Sequence, residues 1–378
     1  MSQILKDKGN GIRNVPNLRF PDFEGEWEKC KLGDVCNTST GNKNTQDKID
    51  DGIYPFYVRS QTVERVNSWT FDGEAILTAG DGVGVGKVFH HTYGKIGVHQ
   101  RVYILSNFKC DANYLFHFFS SKFYNRVKRM SAKNSVDSVR KEMITDMPLS
   151  LPCHKEQVKI GRLLTLLDER IATQNKIIAD LKKLKSAIIE KLYKGIQGTW
   201  YSYRQLFSII NERNKQLEYS NVLSASQERG MVSREDLNLD IHFERSNIST
   251  YKIVKNGDYV IHLRSFQGGF AFSEKTGICS PAYTVLRPNN LLVYGDLSNY
   301  FTSRDFVKSL IIVTYGIRDG RSINVDEWLD MKVVIPSKEQ QTHIVNVIES
   351  IENKIKNEET YSNCLLNQKQ YLLRQMFI

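Results

Sequence analysis

SVRKEMITDMPLSLP, Ser138 to Pro152, and SINVDEWLDMKVVIP, Ser322 to Pro336, are two renderings of one segment. At a constant offset of 184, Ser138, Asp146, Met147 and Pro152 fall on Ser322, Asp330, Met331 and Pro336. Just downstream, Lys155-Glu156-Gln157 answers Lys338-Glu339-Gln340 after a one-residue slip. Self-similarity at one long offset marks a duplication, and the two copies are expected to do the same structural job.

Working outward, the same offset returns after the slip, and apolar residues recur at alternating intervals of four and three. The first series is Ile160, Leu164, Leu167, Ile171, Gln174, Ile178, Leu181, Lys185, Ile188, Leu192. The second is Ile344, Ile348, Ile351, Ile355, Glu358, Ser362, Leu365, Lys369, Leu372, Met376. Neither stretch contains proline, and each begins just after one, as helix starts tend to do. A seven-residue repeat leaves a narrow apolar stripe that a second helix must cover, and a chain with two such helices supplies its own pair. The spacing predicts two long antiparallel helices forming a coiled coil, with polar seam positions (Gln174 with Glu358, Lys185 with Lys369) fixing register. Forty residues at 1.5 Å each give a rod of about 60 Å.

Upstream of each helix lies a β-rich segment. Trp27, Leu32 and Val35 open the first much as Trp200, Leu206 and Ile209 open the second, and Gly73 and Gly257, again at the repeat offset, precede the runs EAILTAG and DYVIHLR. In the first segment YPFYVRSQ, AILTA, KVFHH and RVYIL read as strands and 112–130 as an amphipathic helix; in the second NVLSASQ, YVIHLRS, FAFS and YTVLRP read as strands and 299–313 as a helix. The expected fold class is α+β, with two similar domains and a pseudo-two-fold internal repeat. The expected order is a flexible N-terminal arm (1–20), a first globular domain (21–151), a central helical region (152–196), a second globular domain (197–335) and a C-terminal helical region (336–378).

Composition narrows the function. The chain has 378 residues, 40% apolar and 11% aromatic, enough for sizeable cores. No run of about 18 apolar residues occurs and the first twenty residues lack a secretory apolar stretch, so the expected location is the cytoplasm, without membrane association. Six cysteines without a C-x-x-C pair argue against a disulfide framework or structural zinc. The net charge of +10 is concentrated in the arm and the central helical region, which carries ten basic and five acidic residues against five of each in the C-terminal one. A basic chain suits nucleic acid, an acidic protein or an anionic surface.

Motifs for catalysis are missing. GDGVGVGK, Gly80 to Lys87, has Asp81 and Val88 where a phosphate-binding Walker loop needs glycine and Ser or Thr, and a strand rather than a helix follows it; a strand-turn-strand with backbone near a ligand is the plainer reading. There are no adjacent prolines, hence no amino-methyltransferase motif, and the eight histidines show no metal spacing. No catalytic residue and no metal ligand are assigned.

Candidate DNA contacts lie in loops of both halves. Arg59 with Gln61, and Gln227 with Arg229, follow similar strands, and Arg and Gln make bidentate bonds to guanine and adenine edges. Lys87, Arg101 and Arg264 are further candidates. Lys128, Arg129 and Lys133 lie in a basic stretch with Lys122, Arg126, Arg140 and Lys141; Arg318 and Arg321, in GIRDGR, occupy the matching place in the second half. These suit phosphates, and equally an ordinary charged helix face.

This arrangement resembles the specificity subunit of type I restriction-modification enzymes: target-recognition domain, central helix, second target-recognition domain, C-terminal helix. NVPNLRFPDFEGEWE at the start of the first domain, LPCHKEQ opening the central helix, and GIRDGRSIN through IPSKEQ carry it. The resemblance implies a non-catalytic subunit that reads double-stranded DNA at an asymmetric bipartite site. It implies that two methyltransferase subunits dock on the helices and that motor-nuclease restriction subunits complete the complex. S-adenosylmethionine, ATP and magnesium then belong to those partners, and this chain binds no cofactor. A protein-binding coiled-coil adaptor and a self-contained methyltransferase or nuclease are the opposing readings.

Overall fold

The computed structural model describes residues 14–130, 138–226, 229–237, 245–262, 269–315 and 322–378. The chain forms two compact α+β units, Met1–Asn175 with Thr360–Ile378, and Lys176–Glu359. Compactness divides the chain inside the two long helices, so each unit is a globular domain together with the helix halves packed on it.

In the first unit the order is β1 (Glu28–Lys31), α1 (Leu32–Val35), β2 (Asn37–Thr40), β3 (Tyr54–Tyr57), β4 (Val63–Val66), β5 (Phe71–Ala79), β6 (Phe89–Val98), β7 (Val102–Ser106), α2 (Ala112–Met130), α3 (Lys141–Thr145), β8 (Pro148–Leu151) and α4 (His154–Tyr193). Six strands make one sheet in the order β2-β7-β5-β6-β3-β4, antiparallel except for the parallel β3–β6 pair. The predicted helix over 112–130 is present with those bounds. Its buried Tyr114, Leu115, Phe118, Phe119, Phe123 and Val127 form one core with Trp27, Leu32, Met143 and Ile144. Each such burial is worth roughly 1.5–3 kcal/mol. Ile160 and Leu164 of the central helix enter that core with Met376 and Phe377, whose ring meets Tyr114 edge-on at 5.2 Å. The described end of the expected arm is held down: Leu18 N donates to Gln375 O (2.9 Å), and Arg19 makes two 2.8 Å bonds to the buried Glu156 carboxylate.

In the second unit follow β9 (Thr199–Ser202), α5 (Tyr203–Leu206), β10 (Phe207–Ile210), β11 (Leu223–Ser226), β12 (Gly230–Ser233), β13 (Lys252–Val254), β14 (Tyr259–Ile261), β15 (Phe270–Phe272), β16 (Gly277–Cys279), β17 (Thr284–Pro288), α6 (Asp296–Tyr300), α7 (Arg304–Ser309), β18 (Thr314–Tyr315), β19 (Ser322–Ile323), α8 (Val325–Asp330), β20 (Lys332–Ile335) and α9 (Lys338–Gln375). The sheet is broken: β10-β17-β14-β15 make four strands, while β11-β12 and β13-β16 are ribbons. Among the described residues of this unit one parallel bridge, Val222 to Ile278, stands where β3 and β6 pair in the first unit. The core gathers Tyr203, Phe270, Phe301, Phe306 and Trp328, with Tyr203 and Trp328 stacked at 4.3 Å. The single helix expected over 299–313 is two short helices and a 3-10 turn. Ser303 starts a new helix by accepting from Phe306 N (3.3 Å), so side-chain capping outcompetes continuation.

The repeat is sharpest where each domain joins its long helix. Met147 O accepts from Leu32 N (2.9 Å) and Met331 O from Tyr203 N (3.0 Å); Asp146 pairs with Lys31 (2.9 Å) and Asp330 with Arg204 (2.8 Å). Two expectations are corrected here. Glu28 lies opposite Leu151 and Thr199 opposite Ile335, so Leu32 corresponds to Tyr203 and Val35 to Leu206; Trp27, 3% exposed, has no counterpart in Trp200, 65% exposed. Nor is there a slip after Pro152. Gln157 is buried and donates to Pro152 O (2.8 Å), while the buried Gln341, at the unbroken repeat offset, donates to Pro336 O (3.0 Å). Gln341 rather than Gln340 is the equivalent, because the shared position is defined by burial and a partner five residues back.

The helix pair is antiparallel within each unit. In the first, Leu167 and Ile171 bury against Leu365, with Leu372 alongside; Lys369 pairs with Asp168, and Ser362 Oγ lies 3.1 Å from Asn175 Oδ1. In the second, Ile344 and Ile348 bury with Ile189, flanked by Leu192, while Lys185 pairs with Glu352 (2.5 Å) and Lys182 with Glu359 (2.7 Å). Ile355 is buried; Ile178, Leu181, Ile188 and Ile351 are half-buried. Ile189, not Ile188, reaches the cluster, because 3.6 residues per turn drifts from a strict seven-residue repeat.

Candidate nucleic-acid interface

Four loops of the first unit meet beyond the ends of β5, β6 and β3. Asp81, one residue into the glycine-rich loop, takes Arg59 on one oxygen (Nη1 to Oδ1, 3.0 Å) and Arg101 on the other (Nε to Oδ2, 3.7 Å). Both arginine side chains remain largely open, 44% and 65% exposed. One carboxylate therefore holds two guanidiniums with a net positive charge and donors to spare, an arrangement suited to phosphate oxygens or a guanine edge.

The loop's backbone is tied on three sides. Gly80 N donates to Arg101 O (2.8 Å), Val139 N donates to Gly80 O (2.7 Å), and Tyr103 Oη donates to Val139 O (2.9 Å). Lys87 lies over the Tyr124 ring of α2 at 5.6 Å. His99, between Arg59 and Arg101, is held below its ordinary pKa by burial first and by the neighbouring Arg59 charge second. Its Nδ1 accepts from Arg101 N (3.0 Å), which leaves the proton on Nε2, 3.3 Å from Thr45 Oγ1. A neutral histidine thus fixes the turn that carries Arg101.

Gln61, exposed after β3, reaches Phe89 O at 3.5 Å. Lys128 and Arg129 are exposed at the end of α2, whereas Arg126 is drawn inward to Met143 O (2.8 Å) and Asp146 O (2.9 Å). Burial lowers the pKa of Lys122. The structure thus brings Arg59, Gln61, Lys87 and Arg101 around one loop and takes Arg126 out of the contact set. In the second unit Arg229 is exposed in the β11–β12 turn, the place that Arg59 and Gln61 occupy between β3 and β4. Lys133, Gln227, Arg264, Arg318 and Arg321 lie outside the described residues.

Among the described residues no group of three His, Cys, Asp or Glu is placed to hold a metal. None of their helices is long and apolar enough to cross a membrane. The Cys36, Cys110 and Cys279 thiols are buried, and burial pushes each up to about 12, which keeps them protonated.

Residues 24–183 match the family described as type I restriction modification DNA specificity domain. They form such a specificity domain. The chain is 27% identical over 168 residues to the type I restriction enzyme EcoDI specificity subunit of Escherichia coli, an alignment spanning 43% of this chain and 37% of that protein. It is 28% identical over 204 residues to the type I restriction enzyme MjaVIII specificity subunit of Methanocaldococcus jannaschii, spanning 50% and 46%. The alignments therefore span less than half the length of these relatives. The fold is that of the type I restriction-modification S subunit from M. genitalium, at TM-score 0.62 and 14% identity over 96% of this chain and 99% of that one. The resemblance read from the residues is thereby borne out, and the two-domain α+β architecture with it.

Within the specificity domain, sequence reasoning had found both arginines and missed what organises them. Asp81 was visible only as the residue that spoils a Walker loop, and Tyr124 only as one aromatic of an amphipathic helix. Bringing Arg59 and Arg101 to Asp81 depends on the pairing of β3 with β6 and of β5 with β7, which no local pattern encodes.

Proposed function

We propose that the chain is the DNA-specificity subunit of a type I restriction-modification complex. It reads an asymmetric two-part duplex site, one part per domain, and carries no catalytic centre of its own. The observation that carries this reading is a specificity domain whose architecture recurs once along the chain, with its helix joints kept and its surface changed.

In the first domain Arg59 and Arg101, aligned by Asp81, face base edges or phosphates; Gln61 suits an adenine edge, and Lys87, Lys128 and Arg129 suit phosphates. Arg229 begins the corresponding surface of the second. Lys133, Gln227, Arg264, Arg318 and Arg321 are proposed as further DNA contacts on residue type and sequence position alone. Two methyltransferase subunits dock along the long helices, and restriction subunits join them in the full complex. S-adenosylmethionine, ATP and magnesium belong to those partners.

The test is to express the chain with its cognate methyltransferase subunit and map methyladenine by single-molecule sequencing, with a control lacking the chain. Methylation at one asymmetric two-part motif, present only with the chain, is the expected result. A stable complex that methylates no defined motif would leave a protein-binding adaptor instead.

A further inference from the structure

The segment Gly80–Lys87 and the residue after it contain three valines in two environments. Val85 and Val88 are buried; Val83, between them and Asp81, is 94% exposed. The loop itself keeps Val83 out. Val85 N donates to Gly82 O (3.1 Å), and Lys87 N and Val88 N both donate to Gly84 O (3.0 and 2.9 Å). Gly82 and Gly86 have φ of +74° and +65°, a backbone that residues with a Cβ rarely adopt. A Cβ at Gly84 would fall 2.3 Å from the Arg59 carbonyl oxygen, and one at Gly86 3.1 Å from Tyr124 Cα. The loop is pinned against the Arg59 segment and α2 with an apolar side chain at its tip.

Positive charge lies on both sides of that tip along the loop. Asp81, two residues before Val83, holds Arg59 and Arg101; Lys87, four residues after, lies over Tyr124. A lone valine held in water gains free energy only against an apolar group, and the surrounding cations require that group to sit among negative charges. The major groove of duplex DNA offers this combination: phosphates on both walls, and on its floor the C5-methyl of thymine, the apolar mark that distinguishes T·A pairs there.

We propose that Val83 reads a thymine methyl in the part of the target contacted by the first domain. The inference rests on the DNA-reading function proposed above and assigns to this loop the position at which thymine is required.

The experiment uses the full chain to select duplexes from a randomised library. The enriched duplex is then resynthesised with each thymine in turn replaced by deoxyuridine, which removes only the methyl. One uracil position is expected to weaken binding about fourfold, the worth of one methyl group taken out of water. Val83→Ala is expected to bind the thymine duplex more weakly and to lose the distinction at that position, while Val83→Ile keeps it. If the wild-type chain selects a duplex but no uracil position matters, the thymine assignment falls and the DNA-reading proposal stands. The same holds if Val83→Ala still discriminates at the same position. If the wild-type chain selects no duplex at all, both fall.

Discussion

The two units solve one problem with unequal means. In the first, a continuous six-stranded sheet backs an unbroken 19-residue helix, and the core is closed by Met376 and Phe377 from the far end of the chain. In the second, the sheet is split into one four-stranded piece and ribbons, the matching helix is interrupted, and the core is a cluster of rings around Trp328. What the units keep most closely lies at the joints with the long helices and along the helix pair: the methionine carbonyl, the aspartate with its basic partner, the buried glutamine, and the lysine with its acid across the pair. Selection for different surfaces lets sheets and loops drift, whereas a joint that fixes helix position tolerates little change.

The largest effects should come from the ring at the centre of each core. Trp27 in the first unit and Trp328 in the second are 3% and 0% exposed. Truncating either to alanine is expected to cost roughly 3–5 kcal/mol. Hydrogen exchange should show the loss in one unit only: Trp27→Ala should speed exchange at Ile76 and Phe119, and Trp328→Ala at Tyr259 and Val260. Equal acceleration in both units under either change would mean that the units do not unfold separately.

A second asymmetry is electrostatic. Counting three residues beyond the backbone N–H that each buried glutamine holds (Asp111 and Val293), the first unit has the buried Tyr114 and the second the buried Asp296. Both Asp296 carboxyl oxygens lack a hydrogen-bond partner among the described residues, and burial pushes the carboxyl up to about 7. The folded-state pKa is above the unfolded one. The neutral acid therefore favours folding fully below about pH 4, and that contribution is lost as pH rises through 7. The second unit should lose on the order of 2–4 kcal/mol between pH 4 and 8 that the first does not. Asp296→Asn should flatten that dependence in urea unfolding; an unchanged slope would place the titration elsewhere.

The glutamines allow a like-for-like comparison. Gln157 bonds Asp111 N and Pro152 O; Gln341 bonds Val293 N, Leu291 O and Pro336 O. Gln157→Ala and Gln341→Ala should each cost about 1–3 kcal/mol through stranded backbone partners, with Gln341 the larger. Thermal melts of the two variants give the ranking. If Gln340→Ala proved the costlier change, the equivalence of Gln157 with Gln341 would be wrong and the slip after Pro152 real.

How far the sequence carried this reading depended on the range of the interaction. The heptad positions, the helix over 112–130 and the constant repeat offset are periodic or local, and they survive in the fold almost unchanged. The match of KEQ with KEQ was misleading because string identity weighed three exposed or mixed positions above the one buried glutamine. The break at Ser303 left a local signal, a serine three residues ahead of the amide it caps, that the apolar pattern over 299–313 overrode. The parallel β3–β6 pair and the Asp81 clamp depend on contacts between segments distant in sequence, and no periodicity announces them.

The smallest effect tests the most exact part of the repeat. Asp168 with Lys369 and Lys185 with Glu352 are one interaction made twice, since the repeat offset carries Asp168 onto Glu352 and Lys185 onto Lys369. The two lysines are about a quarter exposed, so each pair is partly screened and worth only about 0.5–1 kcal/mol. Lys369→Glu sets two like charges side by side and should lower stability by about 1 kcal/mol, whereas Asp168→Lys with Lys369→Asp should restore most of it. His117 sharpens the prediction in the first unit. Its Nδ1 stands 3.8 Å from Asp168, and its pKa is pushed down to about 3 by burial first and by Lys369 second. Removing the Lys369 charge should raise the His117 pKa, an NMR titration that Lys185→Glu, the matching change in the second unit, should leave unmoved. Equal movement of His117 in both variants would show that the pairs are not independent and that the helix pair responds as a whole.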